Sequence, residues 1–404
     1  MRIVFVADTL DDGLGGGPVS ARRVVRALRQ QHEVLVVTAS GQPGPGRLRL
    51  PAFQLPLRAM RAMRFRLAVP RRRLLERAIA GADVVHLQFP FPVSFAALAA
   101  ARRAGVPVVA GFHVQPENLL LNVGVRTERL SDALYRFWVR RFYDRADAVV
   151  CPSQFAERLL RAHGLRAPSF VISNGVPPGL RRRHFAREPA HEGRFLLLAV
   201  GRLASEKRHD VLFEALRLAK HADRVSLVVA GAGPLEPELR RAARELPSPT
   251  EIGFVDEERL ERLYNTADLM VHCSEVELEG MAVLEALHCG LPALVADSPR
   301  SAATQFALGS DFLFRNGDPR DLAERIDQHV EHAAALAGAR RRAVELAAHY
   351  AFDACVEELV AVYRGVQREG RRGAARPGAA SRHDASRRTI APSLWRSAGR
   401  DAER

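Results

Sequence analysis

Short apolar runs alternate with longer amphipathic stretches along most of the chain. Runs at 3–7, 33–38, 84–88, 108–111, 148–151 and 170–172 form one series, and runs at 195–200, 225–230, 269–272 and 293–296 form a second. A strand buried on both faces reads as continuously apolar, and a parallel neighbour is reached only through a crossover, usually a helix. The alternation therefore predicts an α/β chain with two Rossmann-like parallel sheets. At 404 residues the chain is also too long for one hydrophobic core. Turn chemistry clusters at Asn174-Gly-Val-Pro-Pro-Gly near the midpoint, which sets the expected boundary. The domain reading is 1–175, then 176–349, then a helix at 350–366 expected to return to the first domain. Residues 367–404 are rich in Arg, Ala, Gly and Ser without periodic hydrophobicity, and read as a disordered basic tail.

Charge narrows the function classes less than it first suggests. The formal net charge is +14, yet the tail supplies +6 and the segment 57–77 supplies +7, leaving the remainder nearly neutral. A basic nucleic-acid-binding protein is the non-enzymatic reading, but no nucleic-acid module accompanies the charge, and no nucleic-acid partner is expected. Within 57–77, Leu57, Met60, Met63 and Leu67 recur at near-helical spacing with Arg58, Arg61 and Arg66 on the other side. That pattern fits either a helix lying on an anionic membrane surface or an ordinary helix packed on its own sheet. No run approaches the roughly 18 apolar residues of a membrane span, and the N-terminus reads as a strand rather than a signal peptide. A cytoplasmic protein is expected, either free or peripheral at the inner face of the membrane. Cys151, Cys273, Cys289 and Cys355 are far apart in sequence, so neither a zinc site nor a disulfide framework is indicated, and no metal is expected.

The chemistry gathers at the ends of strands. The first run leads into Gly13-Leu-Gly-Gly-Gly-Pro, where Gly16 and Gly17 allow close backbone approach and the following helix aims N–H groups at an anion. The spacing is not that of a dinucleotide fingerprint, and no acid ends the second strand. After the run at 195–200 comes Gly201-Arg202-Leu-Ala-Ser-Glu206-Lys207, a glycine turn with two cations suited to a diphosphate. Lys207 is informative because only two basic residues of the chain are lysines. After the run at 269–272 stand Glu277, Gly280, Met281 and Glu285, which place two carboxylates at and just inside the mouth of a helix. Carboxylates accept paired hydrogen bonds from sugar hydroxyls. Glu275 and Glu279 read instead as acids that complement the helix dipole.

Taken together, Gly201-Arg202…Glu206-Lys207 and Glu277…Gly280…Glu285 resemble the retaining family-4 glycosyltransferases of GT-B fold. The first glycine loop, His113, Ser153 and Asn174-Gly-Val-Pro match in order and spacing, so the resemblance covers nearly 1–366. The chain departs from the pattern at Glu279, where an aromatic residue is usual, and at Ala232, where an acid is common. The resemblance implies two facing Rossmann-like domains around a cleft, with acceptor on the N-terminal side and a UDP-sugar or GDP-sugar on the C-terminal side. It implies that Arg202 and Lys207 stabilise the leaving diphosphate without a metal or other cofactor. Gly201 belongs to that turn, Gly16 and Gly17 would add backbone donors from the opposite domain, and the Gly280 and Met281 amides would assist in holding the donor. Glu285 would bind the ribose, Glu277 the donor sugar, and His113 would sit beside the reacting carbon.

The acceptor, by resemblance a hydroxyl compound, is less determined. The stretches beginning at His86 and His113 should line the acceptor side. The aromatic and arginine mixture at 134–143 fits either an interfacial helix or core packing with an exposed arginine face. The first alternative suits a lipid-linked acceptor, and the stretch 115–118 resembles diacylglycerol glucosyltransferases; a cell-envelope glycan is the other acceptor class. A nucleotide-sugar epimerase on the same architecture remains the competing enzyme class.

Overall fold

The computed structural model describes residues 1–11, 15–54, 66–121, 124–125 and 127–374. Two parallel sheets organise the chain. The first contains β1 (Arg2–Val6), β2 (Glu33–Thr38), β3 (Arg47–Arg49), β6 (Val84–Leu87), β7 (Val108–Gly111), β8 (Ala148–Cys151) and β9 (Ser169–Val171), in the order β3-β2-β1-β6-β7-β8-β9. The second contains β10 (Phe195–Val200), β11 (Val225–Ala230), β12 (Thr250–Gly253), β13 (Leu269–His272), β14 (Ala293–Asp297) and β15 (Leu313–Arg315), in the order β12-β11-β10-β13-β14-β15. All ten anticipated strands are present, each within a residue or two of its expected limits. Both faces of each sheet are covered, as parallel sheets require. In the first sheet, Val4, Val85 and Val108 face a core completed by the helices Arg72–Ile79, Pro92–Ala104 and Glu128–Arg141. On the opposite face, Ile3, Phe5 and Val109 pack under the first helix, Gly16–Gln31, and under the last, Phe352–Ala374.

The chain crosses between domains twice at nearly one point. Val176 N donates to Tyr350 O at 2.9 Å, and Val176 bridges Ala351 in parallel. Gly175 is required there: its φ is 69°, and a Cβ would lie 2.7 Å from Phe352 Cα. The last helix then seats on the first sheet, where the Tyr363 hydroxyl meets His86 Nδ1 at 2.9 Å and Gln367 donates to Asp83 at 2.6 Å. That helix continues to Ala374, so residues 367–374 are helical and do not begin a tail; 375–404 lie outside the described residues.

The segment 57–77 is not one amphipathic helix over its described part. Leu67 lies in β5 (Leu67–Ala68), paired antiparallel with β4 (Ala52–Phe53), and among the described residues of the segment the helix runs from Arg72. Leu67 and Ala68 are both buried, Ala68 in the core under the first sheet's helices and Leu67 against the interdomain cleft, and this burial outweighs the helical spacing. Leu57, Arg58, Met60, Arg61 and Met63 lie outside the described residues. The helix Glu128–Arg141 buries Tyr135 and Trp138 and turns Arg136, Phe137, Arg140 and Arg141 outward. No described helix is long and apolar enough to cross a membrane.

Candidate active site

The two domains enclose a cleft of about 960 Å³, and the residues assigned from the sequence to donor binding and catalysis line it. From the N-terminal domain come Gly16, Gly17 and His113. From the C-terminal domain come Gly201, Arg202, Lys207, Glu277, Gly280, Met281 and Glu285.

Tight backbone packing positions the cationic turn. Gly201 has φ 153°, and a Cβ on it would press on the Lys207 stem at 3.3 Å. A Cβ on Gly231 would meet Gly201 O at 1.8 Å, so the turns after β10 and β11 touch backbone to backbone. Arg202 Nε donates to Glu206 at 2.9 Å, and Glu206 is buried, which aims the guanidinium. Lys207 Nζ pairs with Glu277, and His272 Nε2 lies 3.3 Å from the same oxygen without the alignment of a hydrogen bond. Burial pushes the Glu277 carboxyl up, but the charge of Lys207 and the nearby His272 outweigh it and hold it below the ordinary carboxylate range. The Glu277 carboxyl is therefore ionised and holds Lys207 at one end of the cleft.

Gly280 caps the helix Met281–His288 with φ 98°, and a Cβ there would lie 3.0 Å from the Ala303 Cβ. No side chain caps this helix, so its first N–H groups face the cleft beside Met281. Glu285, one turn in, accepts from Arg23 at 3.0 Å and from the Tyr264 hydroxyl at 3.1 Å. Arg23 belongs to the first helix, so this ion pair spans the domains. The same helix brings the glycine loop close: a Cβ on Gly16 would touch the Met281 sulfur at 3.4 Å, and one on Gly17 the Phe89 ring at 3.1 Å. The cleft thus receives two helix N-termini and, from the C-terminal domain, the cations Arg202 and Lys207, which together favour an anion there.

His113 follows β7 and stands at the base of the cleft. Burial, with His86 nearby, lowers its pKa to about 3, so the imidazole is neutral at ordinary pH. Gly111 makes room for it, since a Cβ there would lie 2.6 Å from the His113 ring.

Several expectations are corrected. Glu275 and Glu279, read as complements to a helix dipole, are buried and held by tertiary contacts: Glu275 meets Arg300 and Arg208, and Glu279 accepts hydrogen bonds from Ser173 and Asn174. His86 does not reach the acceptor side of the cleft; it is buried, stacked on Phe5 at 4.5 Å and bonded to Gln88 and Tyr363. Phe89 and Phe91 of the same stretch do line the cleft. Sequence reasoning missed Arg23, whose partner is 262 residues away, and Phe254, which is 71% exposed and lines the cleft after β12. The strand before Phe254, Thr250–Gly253, is itself too short and too little apolar to read from the sequence, so no local signal marked that residue. Glu188, His191 and Glu251 bring ligand-type atoms within 4.8 Å of one another, away from the cleft lining. Arg259 already bonds both carboxylates, at 2.8 and 2.5 Å.

Residues 14–180 match Glycosyltransferase Family 4, and residues 181–347 match Glycosyl transferases group 1. The chain belongs to the family-4 glycosyltransferases of GT-B fold, and it is an enzyme of that class. It is 31% identical over 315 residues to a GDP-mannose-dependent alpha-mannosyltransferase of Mycolicibacterium smegmatis, covering 74% of this chain and 80% of that one. It is 24% identical over 319 residues to the alpha-monoglucosyldiacylglycerol synthase of Streptococcus pneumoniae, covering 74% and 72% respectively. Anabaena HepE in complex with UDP and glucose shares the fold with a TM-score of 0.71 at 17% identity, covering 90% of this chain and 100% of that one.

Proposed function

We propose that the chain is a retaining hexosyltransferase that moves a sugar from a UDP-sugar or GDP-sugar to a hydroxyl acceptor. The observation that carries this is the convergence of Arg202, Lys207, the Gly280–Met281 helix start and the glycine loop on one cleft. Breaking the bond between the anomeric carbon and the diphosphate builds negative charge on the leaving oxygen. Arg202 and Lys207, fixed by Glu206 and Glu277, stabilise that charge without reorganising, so the countercharge needs no metal. Glu285 accepts from the ribose hydroxyls, exchanging its hydrogen bond with Arg23, and Glu277 holds hydroxyls of the donor sugar. In the retaining step the acceptor oxygen bonds the anomeric carbon on the face the diphosphate leaves. The acceptor proton passes to the departing phosphate oxygen. The neutral His113 positions the sugar by hydrogen bonding rather than acting as a charged acid.

A lipid-linked acceptor is favoured by the apolar wall of Phe89, Phe91, Leu119 and Leu120 on the N-terminal side of the cleft. The likeness to a relative named a monoglucosyldiacylglycerol synthase supports the same reading. Bases and sugars are separated by a thermal-shift panel of UDP, GDP and their sugars, since a ligand of the native state raises the melting temperature. Release of nucleotide diphosphate should then require added membrane lipid and persist in chelator. Conversion of the sugar in acceptor-free buffer would instead mark an epimerase and overturn the proposal.

A further inference from the structure

Glu279 sits between Glu277 and Gly280 and is 3% exposed. Its Oε1 accepts from the Asn174 backbone N–H at 3.0 Å and from the Ser173 hydroxyl, and its Oε2 accepts from the Asn174 side-chain amide. The Oδ1 of Asn174 in turn accepts from the Ser20 hydroxyl, in the helix that opens at the glycine loop. From behind, Gln305 donates to the Glu279 carbonyl at 3.0 Å. The other groups facing the carboxylate are Glu277 on its own loop and Tyr350 and Cys355 from the C-terminal segment. Among the described residues no cation pairs with it. A carboxylate buried without a cation is costly, and here its hydrogen bonds all come from the segment where the chain crosses between domains.

We infer that Glu279 is a positioning residue: it latches the loop carrying Glu277 and Gly280 to residues 173–174 and, through Asn174, to Ser20 and the glycine loop. This rests on the proposed nucleotide-sugar reading of the cleft. The latch holds the C-terminal diphosphate groups and the N-terminal glycine loop in mutual register, so binding draws on a prearranged site. Burial raises the Glu279 pKa to about 7, with the Ser173 and Asn174 hydrogen bonds opposing.

Two measurements test the inference on wild type, E279A, E279Q, N174A and E279A/N174A. Hydrogen exchange needs no ligand, and E279A should speed exchange at residues 173–175 and 277–281. Calorimetric titration with GDP and UDP should show about ten-fold weaker binding in E279A, and donor KM should rise more than kcat falls. The double variant should be no worse than the worse single variant, as expected for partners in one contact. E279Q can be accommodated by a flip of the Asn174 amide, which Ser20 can accept, so it should bind nucleotide like wild type. Should E279A fold poorly, N174A breaks the same latch from the other side. Unchanged exchange at 173–175 would overturn the latch. Faster exchange with unchanged nucleotide affinity would overturn the positioning role. Wild type that binds neither GDP nor UDP would overturn the nucleotide-sugar reading, while the exchange data still judge the latch.

Discussion

Replacing Lys207 with Met should separate what this side chain does for the fold from what it does for the reaction. In the native chain Lys207 and Glu277 are paired, with side chains 17% and 18% exposed. Removing one partner of a buried pair costs about 3–5 kcal/mol because the other charge is left uncompensated. The residual exposure here reduces that to roughly 2–4 kcal/mol. Adding Glu277→Gln removes the stranded charge, so the double variant should return to within about 1 kcal/mol of wild type. Turnover should not return: losing a fixed donor to the leaving group costs about 10²–10³ in kcat, and both variants lack it. The pH dependence has a definite sign. Glu277 in wild type has a folded pKa below its ordinary 4.5, so its contribution is present above that value and lost as pH falls through the folded pKa. In Lys207→Met burial dominates and the native carboxyl binds its proton more tightly. The deficit of that variant should be full at neutral pH and shrink on acidification. Urea titrations at two pH values with nucleotide-release assays on the three proteins decide the matter. Equal destabilisation of single and double variants, or near-normal turnover of the single variant, would refute the reasoning.

Gly231→Ala should act at a distance of one backbone contact: its Cβ would lie 1.8 Å from Gly201 O, so the turn carrying Arg202 and Lys207 must move. Thermal unfolding should show a loss of about 1–3 kcal/mol, and a GDP and UDP titration should show weakened binding. Asp8 is buried, its Oδ1 accepts from Ala68 N at 3.0 Å and, among the described residues, its Oδ2 has no hydrogen-bond partner. Burial raises its pKa from 3.8 to about 7, so stability falls as pH rises across that window, by about 4 kcal/mol. Asp8→Asn lacks this titration, and its stability relative to wild type should improve between pH 4 and pH 8 in denaturant titrations; a flat difference would exclude a protonated Asp8.

The central strands were legible because each is buried on both faces and so reads as an unbroken apolar run, as in Phe195–Val200. The strands not anticipated are short and mostly marginal: Arg47–Arg49 and Leu313–Arg315 close sheet edges with only partial burial. The candidate site was legible where its signal is local, since Gly201, Arg202 and Lys207 share one turn and Glu277, Gly280 and Glu285 one helix mouth. What the sequence hid is pairing between distant segments. Nothing local marks Arg23 as the partner of Glu285, or Ser173 and Asn174 as the donors that explain a buried Glu279. Glu275 and Glu279 looked like helix-dipole acids because that reading uses only neighbouring residues, whereas their partners arrive through tertiary packing.

The returning helix Phe352–Ala374 has a consequence for biosynthesis. Leu359, Val360, Tyr363 and Val366 cover the face of the first sheet that carries Ile3, Phe5 and Val109. The second sheet takes all its strands from residues 195–315. Domains usually complete in order as they leave the ribosome, the N-terminal one first. Here the order is inverted: the second half can close its core while the first half still waits, one apolar face covered only by its first helix, for the last helix to emerge.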